Sequence, residues 1–472
     1  MSARSLLSLP FVLALLLALP PSAIAEAAPG QAASTQLAPV PAVDAAESAR
    51  LAEQVREATR HAWQGYMRHA KGHDDLMPLS GGAHDWYAQP LLMSPVDALD
   101  TLILMGLDEE AAQARELITT QLSFDQDIDV QNFEVTIRLL GGLLSAYQLT
   151  GDARLLTLAD DLGRRLLPVF DSPTGLPYTH VNLRTGKPSG RVSNPAETGT
   201  LLLEFGTLAR LTGKPVYYDK AKRALVETFK RRSSIGLVGA EIDVETGKWV
   251  DRSSHIAGGI DSYYEYLYKC WKLFGDADCK RMWEQSIGPV NRYLADEVRD
   301  GEPWYGYADM DSGRRTETTY GALDAFMPAL LALGGDVPRA RRLQESGLKM
   351  WRLHGIEPET LDYATMTVRS PGYALRPEII ESAYYLHHYT GDARYRGMGK
   401  EFFENFVRAC RTDDGFAALK SVVTGEKKDS MQSFLFAETL KYYYLLFAPA
   451  RALDFDAVVF NTEAHPLRRT WK

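Results

Sequence analysis

Five glycines set the frame of this 472-residue chain: Gly151, Gly213, Gly275, Gly335 and Gly391 stand 62, 62, 60 and 56 residues apart. Each closes an apolar stretch of helical periodicity and precedes another, as AYYLHHYTGD and DARYRGMGKEFFENF do around Gly391. A repeat of about sixty residues built this way is a pair of helices joined by a tight turn. A shorter unit ends at Gly106 and a last one near Ala448, so seven helical hairpins are implied. Sixty residues exceed what two helices need. The surplus lies between one pair and the next, where LPYTHVNLRTGKPSGR, GLVGAEIDVETGKWVD, YATMTVRSPGYAL and GFAALKSVVTGEKKD read as β-hairpins around glycine turns. One end of the assembly therefore carries tight turns and the other carries loops. Both helices of each pair are strongly apolar and no concave polar stripe runs through the units, so they are predicted to close into a ring rather than stack as an open solenoid.

Acidic residues recur against this frame. The first helix of successive units opens with Asp97 and Asp100, then Glu134, Glu197, Asp261, and Glu378 with Glu381. Glu134, Glu197, Asp261 and Glu378 precede their closing glycines by 17, 16, 14 and 13 residues. At about 1.5 Å per residue each lies roughly 20 to 26 Å from the tight-turn end. If these helices are the inner staves of the ring, the carboxylates converge on its axis at the hairpin-bearing mouth. Taken alone, Glu134 and Arg138 in NFEVTIRLLGGLLSAYQLTGD would be an exposed i,i+4 ion pair. Their recurrence across units points instead to a site, because gathered like charges must be offset by a cation, hydrogen bonds or protonation.

A net charge of −9 with no basic block argues against a nucleic-acid partner. The opening MSARSLLSLPFVLALLLALPPSAIA reads as a secretory signal removed after about Ala25; its apolar run is too short, and too broken by Pro10 and Pro20, for an anchor, so no membrane association is expected after cleavage. Residues 26–45 form an Ala- and Pro-rich flexible lead, and residues 46–472 a single domain. Three cysteines are too few for a disulfide scaffold. Cys270 and Cys279 are read as buried thiols, with a bond between them left open as the alternative. No Cys and His spacing suggests zinc, and His387-His388 reads as helix surface.

Eight stretches in order resemble glycoside hydrolase family 47, the class I α-mannosidases: HAWQGYMRHAKGHDDLMPLS, SPVDALDTLILMGL, NFEVTIRLLGGLLSAYQLTGD, AETGTLLLEF, GGIDSYYEYLYK, LRPEIIES, SFLFAETLKYYYLLF and VFNTEAHP. The resemblance implies an all-α fold, an (α/α)7 barrel with β-hairpin loops at the active-site end, in agreement with the seven units. It implies calcium-dependent, inverting exo-hydrolysis of terminal α-1,2-linked mannose from oligosaccharides or glycoprotein glycans. By motif, Glu134 would be the general acid, Glu378 the general base and Asp261 the third essential carboxylate. Arg138, Arg376, Glu197, Glu381 and Glu463 would bind substrate, and Thr462 would bind Ca2+ through its hydroxyl and carbonyl oxygens. An inverting hydrolase needs an acid and a base on opposite faces of the sugar, their carboxyls about 6.5 to 9.5 Å apart, a separation that different inner helices facing across a lumen can supply. The protein is expected to be an exported, bacterial, monomeric enzyme of the periplasm or exterior.

Departures from the family pattern fall at Gln432, where glutamate is usual, and at Ala322 and Ala325, where a histidine and a disulfide cysteine are usual. They are expected to alter substrate contacts without abolishing hydrolysis. The alternative is a mannose-glycan-binding protein of the same fold with little or no turnover. Retention of Glu134, Asp261 and Glu378 speaks against it, since binding alone needs neither an acid nor a base.

Overall fold

The computed structural model describes residues 38–298 and 301–469. The predicted leader, and the flexible lead as far as residue 37, lie outside them. Helix begins at Ala45, where Asp44 accepts from the amide of Glu47.

Among the described residues the helices pair as seven hairpins: Met93–Leu104 with Asp108–Gln121, Gly141–Thr150 with Ala153–Leu166, Leu202–Thr212 with Val216–Lys230, Asp261–Phe274 with Ala277–Tyr293, Met327–Leu333 with Val337–His354, Glu378–Thr390 with Arg394–Cys410, and Leu440–Phe447 with Ala45–His69. The last pair joins the two ends of the barrel. Met93–Leu104 packs on Gly141–Thr150 on one side and on Leu435–Thr439 on the other, so the first and last inner helices are neighbours and the ring closes.

The turn glycines do what their spacing implies. Gly151, Gly213, Gly275 and Gly391 have φ of 72°, 71°, 72° and 66°. This left-handed conformation ends a helix most cheaply without a Cβ. The aspartates that follow at Asp152, Asp276 and Asp392 accept amide hydrogens of the next helix. Gly-Asp is thus a stop and a start in two residues.

Burial separates the two helix layers. Outer helix Ala153–Leu166 buries one stripe, Leu155, Ala159, Leu162, Gly163 and Leu166. Inner helix Glu378–Thr390 buries every residue from Ile379 to Leu386, since it meets outer helices on one side and the barrel interior on the other.

The hairpins bind each unit at its upper end. The strand entering an inner helix pairs with the hairpin leaving that unit's outer helix: Asp129–Gln131 with His180–Asn182, Val192–Ser193 with Glu241–Asp243, and Thr319–Gly321 with Thr360–Asp362. The bridge from Met431 to Leu76 repeats the arrangement across the ends of the barrel. A further hairpin, Val458–Phe460 with Pro466–Arg468, packs against Asp261–Phe274 and Gly141–Thr150. No described helix is long and apolar enough to cross a membrane.

Cys270 and Cys279 form a disulfide across the Gly275 turn, Cα atoms 5.9 Å apart, which corrects the reading of two thiols; Cys410 is a buried free thiol. The turn folds the start of the outer helix back beside the end of the inner one. Closing a loop of about ten residues contributes roughly 2–3 kcal/mol. Replacing both cysteines by serine is expected to lower the unfolding free energy from urea titration by that amount, with reductant having the same effect on the wild type; a stability insensitive to both would show that the sulfurs are not bonded.

Candidate active site

Every residue the family resemblance assigns to the site lines one cavity of about 530 Å³ at the hairpin end of the barrel: Glu134, Arg138, Glu197, Asp261, Arg376, Glu378, Glu381, Thr462 and Glu463. The carboxylates enter from helix N-termini. Glu134 lies in the first turn of Asn132–Val135, Glu197 in that of Pro195–Gly199, and Asp261 and Glu378 each begin a helix. The unpaired amides and dipole of a helix start favour negative charge there.

Arg138 organises one wall. Its Nε lies 2.8 Å from Glu134 Oε2 and 3.6 Å separates its Nη1 from Asp97 Oδ2, while Nη1 also pairs with Glu463. The i,i+4 pair with Glu134 is therefore real, but Arg138 is buried and shared with two further carboxyls. Its guanidinium stands over Trp86 at 5.1 Å and Phe434 at 5.7 Å, and Arg376 stands 5.9 Å from Phe434. Phe434 thus holds both arginines. Glu359 fixes Arg376 through Oε2, 3.1 Å from Nε and 3.0 Å from Nη2.

Two π turns shape the floor. Thr136–Leu140 carries Arg138 and Leu435–Thr439 carries Glu438. A π turn breaks the regular i→i+4 ladder, and such turns recur at functional sites. Within the first, the carbonyl of Ile137 accepts from Asn461 Nδ2 at 2.8 Å, which docks the C-terminal turn onto this helix. Asn461 Nδ2 also donates to Glu204 at 2.8 Å, Asn461 Oδ1 accepts from the amides of Glu463 and His465, and the Thr462 amide donates to Tyr266 Oη at 3.3 Å. The approach requires Gly141, where a Cβ would fall 2.5 Å from Asn461 Nδ2. Ala464 holds a φ of 55°, uncommon without a glycine and sustained by these contacts.

Negative charge is in excess. Eight carboxyl groups line the cavity against two guanidinium groups. Burial raises Asp261 to about 7 against the opposing Ser262 amide, and raises Glu378 to about 7 against Arg376. Burial and Glu265 raise Glu381 to about 8; burial raises Glu463 to about 8 despite Arg138. Burial also raises Glu197, whose carboxylate accepts from Gln131 at 2.6 Å and Ser193 at 3.1 Å. One oxygen of Glu378 is buried without a protein partner.

Several members escaped sequence reasoning. Glu265, one helical turn beyond Asp261 and paired with Lys269 at 2.9 Å, and Glu438, inside the SFLFAETL stretch, both line the cavity. The i+4 spacing could have found Glu265; nothing local marks Glu438, which its π turn presents. Asp97 and Asp100 were expected at the mouth, but they line no part of the cavity and lie fully buried against His465 and Lys441. Gln432 lines the cavity, whereas Ala322 and Ala325 are buried outside it and Leu323 and Phe326 face it instead.

Residues 58–469 match the sequence profile of Glycosyl hydrolase family 47. The chain is 38% identical over 447 residues to Alpha-mannosidase I MNS4 of Arabidopsis thaliana, covering 89% of this chain and 70% of that protein. It is 37% identical over 442 residues to Mannosyl-oligosaccharide 1,2-alpha-mannosidase MNS1 of Arabidopsis thaliana, covering 88% and 78%. The structure of alpha-1,2-mannosidase from Trichoderma reesei superposes with a TM-score of 0.83 at 29% identity, covering 89% of this chain and 99% of that one. A seven-hairpin ring whose carboxylates meet at its loop-bearing end, matched along almost the whole barrel, thus belongs to glycosyl hydrolase family 47 and is a glycoside hydrolase.

Proposed function

We propose that the protein is a calcium-dependent, inverting exo-α-mannosidase that removes terminal α-1,2-linked mannose from oligosaccharides or glycoprotein glycans. The observation that carries this reading is the opening of Glu134, Asp261 and Glu378, from three different inner helices, onto one cavity with Thr462 and Glu463 in its lining. The names of the similar mannosidases support the substrate class.

The donor set fits a hard divalent cation. It is all oxygen, carries surplus negative charge and includes a buried Glu378 oxygen without a partner. Thr462 would hold calcium through its hydroxyl and carbonyl, with Glu197, Glu381 and Glu463 acting through water. The only group of three potential ligating side chains close enough for direct coordination among the described residues, Cys270, Asp276 and Cys279, has both sulfurs bonded to each other, so it does not compete. A calcium ion held at Thr462 would supply positive charge among the carboxylates and help to bind the hydroxyls of the terminal mannose.

The chain's own groups divide the chemistry. Glu134, oriented by Arg138, protonates the leaving oxygen, and Glu378 takes a proton from the attacking water on the opposite face. Asp261 is the third carboxylate of the reacting centre. Arg376, fixed by Glu359, and the Phe434 ring orient the sugar. The leader-like N-terminus and the disulfide support export to the periplasm or beyond. A glycan-binding role without turnover would leave the acid and base unused.

The test is NMR of the first sugar released from α-1,2-mannobiose. β-Mannose should appear first, and a chelator should abolish release; initial α-mannose or metal-independent turnover would refute the reading. Glu134→Gln should retain substrate binding by calorimetry while kcat falls by about 10²-fold or more, as expected for loss of a general acid; an undiminished rate would place the acid elsewhere.

Stability should report the same charge balance. Glu378, Asp261, Glu381 and Glu463 titrate higher in the folded than in the unfolded state, so their contribution is complete below about pH 4 and is lost as pH rises through 7 to 8. The unfolding temperature of metal-free protein should fall between pH 5 and 8, and added calcium should raise it more at pH 8 than at pH 5. Equal calcium stabilisation at both values would remove the ion from these carboxylates.

A further inference from the structure

Behind the cavity lies a buried polar cluster that this chemistry leaves unused. Asp97 and Asp100 stand three residues apart on Met93–Leu104, both fully buried. Asp100 is matched within the cluster: Lys441 Nζ lies 2.8 Å from Oδ1, and His465 Nδ1 at 2.7 Å and Ser145 Oγ at 2.8 Å meet Oδ2. Burial disfavours charge on His465, yet Asp100 and Asp97 outweigh it and raise the imidazole to about 9, so the ring is an imidazolium at neutral pH.

Asp97 is divided differently. Its Oδ1 faces His465 Nε2 at 3.2 Å, while its Oδ2 accepts from Ser433 Oγ and stands 3.6 Å from Arg138 Nη1. Two of its partners lead to opposite parts of the site. Arg138 grips Glu134 at 2.8 Å. His465 closes the Thr462 turn, its amide donating to Asn461 Oδ1 at 2.8 Å and its carbonyl accepting from the Asn461 amide at 3.1 Å. Asp75 and Glu463 also feel the charge of Asp97. Asp97 itself lines no part of the cavity and cannot touch substrate.

We propose that Asp97 is a positioning residue that couples the two halves of the active site, holding the Glu134–Arg138 pair and the Thr462 turn in register through one buried carboxylate. The inference rests on the reading of Glu134 as acid and Thr462 as calcium ligand. The physical reason is that a buried charge loses hydration and keeps its place only with all its partners present. Removing Asp97 leaves His465 with one carboxylate and Arg138 with two.

Asp100→Asn is the control, because Asp100 reaches His465 and Lys441 but not Arg138. Calcium affinity by calorimetry, unfolding temperature and the pH dependence of kcat and kcat/KM on α-1,2-mannobiose are compared for the wild type, Asp97→Asn and Asp100→Asn. Both variants should melt lower and bind calcium about 10- to 100-fold more weakly, the range for groups that support a metal ligand. Only Asp97→Asn should also lower kcat about tenfold or more and alter the pH profile of kcat/KM, because Arg138 loses one of the carboxylates that hold it against Glu134. Identical profiles for the two variants would reduce Asp97 to a structural residue and overturn the coupling. Should Asp97→Asn not fold, Ser433→Ala, which removes one hydrogen bond from Asp97 and leaves its ion pairs, should lower kcat severalfold in a folded protein; an unchanged kcat would overturn the coupling. A wild type that is inactive or indifferent to calcium would instead refute the proposed function, and the coupling with it.

Discussion

A buried guanidinium with three carboxyls around it and two aromatic rings against it is the contact on which the active end of this barrel depends. Among the described residues Arg138 is the one cation paired with Glu134, Glu463 and Asp97 together, and Trp86 and Phe434 fix its plane. Each partner belongs to a different element. Without Arg138 their mutual repulsion in a low-dielectric interior would force them apart or force them to protonate. The π turn that carries it also presents the carbonyl of Ile137 to Asn461, so a single irregularity in one helix serves both the charge arrangement and the docking of the C-terminal turn.

The barrel supplies what that arrangement requires. Helix starts deliver carboxylates to one end, and the hairpins tie each inner helix to the outer helix of its own unit. Chemistry is confined to the mouth, while the opposite end consists of tight glycine turns under little demand beyond closure. The disulfide at one of those turns braces the helix whose first residue is Asp261 at the end away from the cavity.

Glu134, Glu197, Asp261 and Glu378 were legible because a repeat with a fixed stop converts sequence distance into height along the barrel. The same rule misplaced Asp97 and Asp100. They occupy the equivalent position, but His465 and Lys441, more than three hundred residues away, turn them into internal ion pairs. No local pattern could show that. Thr462 was reachable only by resemblance, since a polar turn after a short strand carries no mark of its own. Glu438 stayed hidden because helical periodicity assumes a regular helix, and a π turn changes which side chain faces inward. The disulfide was left open because spacing alone does not tell how closely two helices fold back across a turn.

Ring closure carries a consequence for how the chain is made. Helix Ala45–His69 finds its partner in Leu440–Phe447, and Ser48 Oγ donates to the carbonyl of Phe447 across 399 residues. During synthesis the helix Ala45–His69 therefore waits, its apolar stripe of Leu51, Val55, Ala62 and Trp63 uncovered, until Leu440–Phe447 has emerged. Contacts of such separation form late and slowly. A nascent molecule of this design keeps its ring open until Leu440–Phe447 arrives to close it.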